Sequence, residues 1–433
     1  MSAPTSSLTE RVPRPGQATA EVRDQGGDGL AKAGILLGVA SLPVLTPAFL
    51  NNLAPADLMM SLGIGMVLVW AGSTRQRLRL PYVAGVGLMA IAGTLAALFG
   101  ELKGLGAVTV VQDLYLLAWG AALANFGRTA AGADFLVRAW CGTATAWAIG
   151  LVVVMGPGAV AGASEDRASF TFAEQNGAGL YFAMSLLVIL AGRRPRRWRW
   201  RGPGIACLLI ALLLTGSLGA ISGLMAGLAV ALVLGVRAKR GPDTAIAFAL
   251  AVLLAGASLA LLVQQQNLIE AASESRNVLI RNSLGRGATS SSDRVVLARQ
   301  NAQLWETAGL LGRGPVSTEY TLKKQQASYP KEAHNDWIAA MLERGVLGFA
   351  GLLLLVLEIL LLALAVWNPN RLLAGYRAAL PAPAYLVGAL VLAAIYSLTH
   401  EELHERTLWT LLGLLAAFGL WGRPIRWSWG GSS

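Results

Sequence analysis

Charge is scarce in this 433-residue chain: Asp, Glu, Lys and Arg make up 14% of it, against 55% hydrophobic residues and a mean hydropathy of +0.55. An ordinary soluble domain carries about 25% charged residues, so that class is excluded. Cysteine is scarcer still. Cys141 and Cys207 both fall inside apolar runs, and no disulfide framework is expected. A cleavable leader is also missing from the pattern. Residues 1–29 are rich in Pro, Gly, Ala and charge without an apolar h-region, and read as a disordered cytoplasmic tail before an uncleaved first helix. There is no repeat of 20–50 residues, and no matching pair of interrupted apolar segments such as marks a transporter's substrate site.

What is present is a series of apolar runs between residues 32 and 426, separated by short Arg-rich loops. Crossing hydrocarbon takes about 20 apolar residues, and a backbone in lipid must satisfy its own hydrogen bonds, so such runs must be helices. Twelve are expected, over 31–50, 54–72, 81–100, 107–126, 135–157, 177–192, 203–220, 221–236, 244–263, 346–367, 383–399 and 407–422. The expected fold is an all-α polytopic membrane protein. Residues 1–29 form the tail, 30–265 hold spans one to nine, 266–345 form one large periplasmic helical loop, and 346–433 hold the last three spans.

Charge placement gives this topology a direction. With both termini cytoplasmic, twenty-two Lys and Arg fall on the cytoplasmic side and three (Lys103, Arg167, Arg406) in short external loops, the asymmetry expected of a multi-pass protein. The net charge of +11 therefore reflects orientation, and no nucleic-acid partner is called for. The run RRPRRWRWR at 193–201 suits an anchor on anionic membrane lipid.

The polar chemistry concentrates in 266–345. Within RGATSSSDRVVLARQNAQLWETAGLLG, an amphipathic helix is expected to start near Asp293, capped by Ser290, Ser291 or Ser292. Its first turn carries Arg294. Free N–H groups and a guanidinium there suit a phosphate or diphosphate, although an ion pair with Asp293 or Glu306 on a solvated face is an equally simple use. Arg276, Arg281, Arg286 and Arg299 crowd the same stretch and are candidate diphosphate contacts, or merely a charged loop.

Next comes AHNDWIAAMLERGVLG at 333–348. Asn335 and Asp336 are helix starters, which puts His334 at a helix mouth, where it serves as a general base or a simple cap. Asp113, inside an apolar run, is a candidate because ionisable groups there are costly. Glu358 lies deep and reads as structural.

SSDR followed by Trp305, LLGRGP at 310–315 and AHNDWIAAMLERGVLG at 333–348 together resemble the O-antigen ligase and polymerase family, as does FAEQNGAG at 173–180 with its Asn176. The resemblance implies a metal-independent glycosyltransferase without cofactor. Its donor would be an undecaprenyl-diphosphate-linked glycan and its acceptor a lipid A–core hydroxyl, met on the periplasmic side of the bacterial inner membrane. By position, His334 matches the family's acceptor-activating histidine and Arg294 the arginine assigned to the diphosphate. One departure is Leu218, in Thr215-Gly-Ser217-Leu218-Gly, where the family often has arginine. An O-antigen polymerase and a protein O-oligosaccharyltransferase share the donor and differ in acceptor.

A motif of another class is present as well. His400-Glu401-Glu402-Leu403-His404 satisfies H-E-x-x-H, the zinc-protease pattern, which requires both imidazoles on one helical face. The alternative is a polar tip in which His400 and His404 support a glycan cavity.

Overall fold

In a computed structural model the chain is described over residues 25–46, 53–160, 168–265, 268–275, 281, 287–306 and 308–423. The described residues are all-helical, without a strand. The helices are α1 (Gln25–Ser41), α2 (Pro55–Ser73), α3 (Val83–Phe99), α4 (Lys103–Phe126), α5 (Ala130–Val160), α6 (Gln175–Gly192), α7 (Trp198–Thr215), α8 (Leu218–Arg240) and α9 (Pro242–Gln265). Three shorter or amphipathic helices follow, α10 (Leu268–Ser273), α11 (Gly287–Glu306) and α12 (Ser317–Lys324). The chain returns through α13 (Asp336–Val366), α14 (Ala374–Ala379), α15 (Ala384–Tyr396) and α16 (Arg406–Trp421).

Six of these, α2, α4, α5 (through Pro157), α6, α8 and α13, are long and apolar enough to cross a membrane. Helices α3, α15 and α16 are apolar but shorter, as is the stretch Pro242–Ser258 of α9. Leu253 and Leu254 of α9 are each 68% exposed, apolar surface that suits lipid and not water.

Two boundaries differ from expectation. Helix α1 begins at Gln25, inside the expected tail, where Asp28 pairs with Lys32 one turn on at 2.5 Å. Helix α11 begins at Gly287 and not near Asp293, so Ser290–Ser292 fall within it. Serine costs a helix interior only about 0.5 kcal/mol, too little to set the boundary. The rest of the expected tail, residues 1–24, lies outside the described residues.

The helices pack as pairs, chiefly α8 with α15, α3 with α13, α1 with α2 and α4 with α16. Small residues set the closest crossings: a Cβ on Gly227 or on Gly388 would strike the other's carbonyl oxygen, so α8 and α15 meet backbone to backbone. Buried polar groups are satisfied across helices. Trp119 donates to Thr410 at 2.9 Å, Trp140 to Ser185 at 2.9 Å and Tyr82 to the Leu412 carbonyl at 2.9 Å. Glu358 accepts the backbone N–H of Gly85 at 3.1 Å, a structural use on the α3–α13 contact. Cys141 and Cys207 are free thiols.

Basic residues 193–201 show two uses. Arg194 pairs with the α5 carboxylate of Asp134, whereas Arg201 lies 5.0 Å from the Trp198 ring and Arg199 5.8 Å from that of Trp200, both indoles being mostly exposed.

Candidate functional site

Two glycine turns build the frame. Helix α13 is broken at Gly345 (φ +65°, ψ −162°), a backbone region closed to residues with a Cβ. The loop carrying Gly312 (φ +77°) and Gly314 (φ +103°) fits into that break: Arg313 donates to the Leu342 carbonyl at 2.9 Å, Gly314 to Glu343 at 3.0 Å, and Val346 to Leu310 at 3.0 Å. A Cβ on Gly312 would lie 2.5 Å from the Gly345 nitrogen, so side chains are excluded from the joint. Glu343, buried beside it, accepts from the N–H of Val316 at 2.8 Å and from the Thr318 hydroxyl at 2.7 Å, fixing the entry to α12.

The segment before α13 then clamps the hairpin between α15 and α16. Asn335 caps α13, accepting from the N–H of Trp337 and of Ile338, and its amide donates to the Leu398 carbonyl at 2.9 Å. Asp336 accepts the N–H of Glu402 at 3.0 Å and that of Leu403 at 3.2 Å. His334, directly before them, has φ +50°, a left-handed conformation unusual for a residue with a Cβ. Its own N–H donates to the Glu401 carboxylate at 3.2 Å. Such strain persists only where surrounding contacts enforce it, and it concentrates at functional sites.

Between these elements, α2, α4 and the start of α6 lies a cavity of about 310 Å³. All three histidines of the chain line it: His334, His400 and His404. The His334 and His400 rings are 6.2 Å apart, and His400 stacks on Tyr396 at 4.2 Å. Glu174, Glu332, Glu401 and Glu405 also line it, with Arg406. Arg406 grips Asp57 with two bonds of 2.7 and 2.6 Å, and Asp57 in turn accepts the Ala54 N–H that opens α2. A second, mostly apolar cleft of about 260 Å³ adjoins it and shares Arg406, Gln112 and Val108.

Burial sets the proton affinities of the hairpin groups. It pushes the carboxyls of Glu401 and Glu402 well above the ordinary range, reinforced for Glu401 by Glu343 and for Glu402 by Asp336. Glu405 is raised by burial, with Arg406 opposing. His404 is lowered by burial, against the pull of Asp113, and therefore favours the neutral imidazole.

Among the expected site residues, the structure brings together His334, Asn335, Asp336, His400, His404 and Asp113, whose carboxylate lies 3.4 Å from His404. Asn176 is half-buried in the first turn of α6, between Glu174 and Gly177 of the lining. Arg294 belongs to α11, but its side chain is outside the described residues, as are Arg276 and Arg286 altogether. Arg281 is half-buried and Arg299 exposed, and neither lines the cavity.

Three partners escaped sequence reasoning. The partner of Asp113 is Arg344, at 2.6 Å and 5% exposed; Arg138 pairs with Asp134. In the sequence Arg406 is one charge of a short loop and Asp57 one carboxylate in an apolar run. A basic residue directly after Glu343 in an otherwise apolar helix was the available signal for Arg344.

The H-E-x-x-H stretch is not helical. Residues 397–405 run as turns and bends, so His400 and His404 do not share a helix face. Among the described residues, no three His, Cys, Asp or Glu side chains gather as a metal site requires.

Residues 203–353 match the family model described as O-antigen ligase. The chain is thus similar to that family over a region spanning α7 to the middle of α13, with His334, Asp336 and the Gly312–Gly345 joint inside it. The rest of the cavity, from α4 and the α15–α16 hairpin, lies outside the matched region. Among curated proteins no match is found. The apolar helices and this similarity are those of a multi-pass membrane protein.

Proposed function

We propose that the protein transfers an O-antigen glycan from undecaprenyl diphosphate to a lipid A–core hydroxyl on the periplasmic side of the inner membrane, with both termini cytoplasmic and the apolar helices spanning twelve times. The observation that carries this is the convergence of His334, His400 and His404 with Arg406 in one cavity beside the O-antigen ligase region.

The chemistry fits such a site. As the acceptor oxygen attacks the anomeric carbon, negative charge grows on the departing diphosphate, and guanidinium groups already aimed there stabilise it. Arg294 is the first such group, with Arg276, Arg281, Arg286 and Arg299 as helpers in the same stretch. His334 engages the acceptor hydroxyl. The diphosphate is a good leaving group in its own right, so activation of the sugar is supplied by the donor. The neighbouring apolar cleft, lined by Leu53 and Val111, suits part of a lipid-linked substrate.

The test is purified protein incubated with carrier-linked glycan and lipid A–core in the presence of EDTA. Ligated product is expected from the wild type and lost from His334→Ala and Arg294→Ala variants that remain folded. Extension of the glycan on its carrier would reassign the reaction to a polymerase, transfer to a polypeptide to a protein O-oligosaccharyltransferase. No transfer to any of the three acceptors overturns the reading.

A further inference from the structure

We propose that the end of the bundle opposite the cavity carries two binding sites for the phosphate of an anionic phospholipid, each an indole flanked by two guanidinium groups: Trp421 with Arg79 and Arg128, and Trp367 with Arg237 and Arg371. Such binding is independent of the reaction performed in the cavity.

The same arrangement occurs twice. The guanidinium carbon of Arg79 lies 4.1 Å and that of Arg128 5.6 Å from the centroid of the Trp421 ring. At Trp367 the distances are 5.3 Å for Arg237 and 5.9 Å for Arg371. Backbone contacts hold the first site: Asn125 donates to the Arg79 carbonyl at 2.7 Å and accepts the Arg79 N–H at 2.8 Å, while the Trp421 indole donates to the Ala124 carbonyl at 3.1 Å. In the second, Trp367 directly follows α13, Arg237 lies in the last turn of α8, and Arg371 donates to the Leu364 carbonyl at 3.3 Å.

Two like charges gathered at one ring repel each other, and the negative face of the ring offsets only part of that repulsion. An anion between them removes the rest. Among the described residues, none of these four guanidinium groups is in an ion pair; other cations make the pairs that exist. Arg79, Arg237 and Arg371 are exposed and Arg128 half-buried, so a ligand can reach them. Contact with a ring face engages the charge of a guanidinium and leaves in-plane N–H donors for phosphate oxygens.

Position indicates where that phosphate comes from. Helices α2, α4 and α16 begin beside the cavity, near Ala54, Leu105 and Arg406, and lead to Arg79, Arg128 and Trp421. Helix α8 also begins there, since the Cβ position of Gly219 is 3.3 Å from His400, and it ends with Arg237 in its last turn. These helices have 16 to 24 residues. At 1.5 Å per residue they are about 24–36 Å long, close to the thickness of a bilayer's hydrocarbon core. Both sites therefore sit at the headgroup level of the leaflet opposite the cavity, where lipid phosphates are concentrated and indoles favour the interface.

The experiment is native mass spectrometry of the full-length protein in detergent, with phosphatidylglycerol or phosphatidylcholine added. Wild type is expected to hold phosphatidylglycerol about tenfold or more tighter than phosphatidylcholine. Arg79→Gln/Arg128→Gln and Arg237→Gln/Arg371→Gln are each expected to lose one tightly held phosphatidylglycerol. The first of these keeps its loop, because Asn125 grips Arg79 through the backbone alone. Arg75→Gln/Arg77→Gln removes two exposed charges of the same loop and is expected to keep the full complement. A wild type without preference between the two lipids overturns the proposal, as does a full complement on both site variants. Equal loss from the Arg75/Arg77 variant overturns it in favour of bulk charge, and displacement of the lipid by an equal concentration of inorganic phosphate overturns it in favour of a free anion.

Discussion

Asp336 holds the backbone N–H of Glu402 with both carboxylate oxygens at 3.0 Å, tying the start of α13 to the hairpin 66 residues further on. This contact keeps His334 and the two hairpin histidines on one cavity. Asp336→Ala leaves the N–H groups of Glu402 and Leu403 without their acceptor, at a cost of about 2–4 kcal/mol in total. The expected outcome is a lowered Tm in detergent and loss of transfer; Asp336→Asn, which keeps an acceptor oxygen, is expected to lose less of both.

Gly345 makes a sharper steric prediction. Alanine there meets a disallowed φ and the Leu310 carbonyl at once, so Gly345→Ala is expected to cost about 3 kcal/mol or more. Gly65→Ala is the control. That residue lies within α2 with nothing near its Cβ position, and alanine is expected to stabilise by about 0.5–1 kcal/mol. Thermal unfolding of the two variants reads the contrast.

Removing the Arg406 guanidinium leaves Asp57 charged, 7% exposed and unpaired on that side. Breaking a buried pair this way costs about 3–5 kcal/mol. Arg406→Ala is therefore expected to unfold at markedly lower temperature, and Asp57→Asn/Arg406→Gln to recover part of the loss. Arg406→Lys is expected to fall between them, since an ammonium cannot reproduce the two-pronged grip.

Glu402 links stability to pH. Its side chain is 1% exposed, Oε1 has no hydrogen-bond partner among the described residues, and burial holds the carboxyl well above its ordinary value. The folded state thus keeps a proton that the unfolded chain releases near pH 4. The associated stability is fully present below that pH and is lost as pH rises toward the folded value. Wild-type Tm is expected to fall from pH 5 to pH 8, and Glu402→Gln to fall less, making the variant the more stable of the two at pH 8. Parallel slopes for the two proteins would refute this.

Much of the site was legible because its markers are local. Asn335 and Asp336 are recognisable helix starters, the two glycine motifs announce turns, and the imidazole of His334 is conspicuous in a chain with three. Arg344, Arg406 and Asp57 were not legible, since each takes its meaning from a partner 231, 349 and 349 positions away along the chain. The H-E-x-x-H pattern misled in the opposite sense: its spacing assumes a helix, and Asp336 draws that backbone into turns instead.

Hydropathy and charge asymmetry, properties summed over windows of some twenty residues, were enough to dictate an all-helical membrane chain, because lipid admits few ways of satisfying a backbone. Which helices touch was decided only in three dimensions, where backbones cross at Gly227 and Gly388 and a loop enters the break at Gly345. Those contacts join α4, α13 and the last hairpin, and through them the Asp113 carboxylate, the Arg344 guanidinium and the His404 imidazole, from three distant parts of the chain, become neighbours.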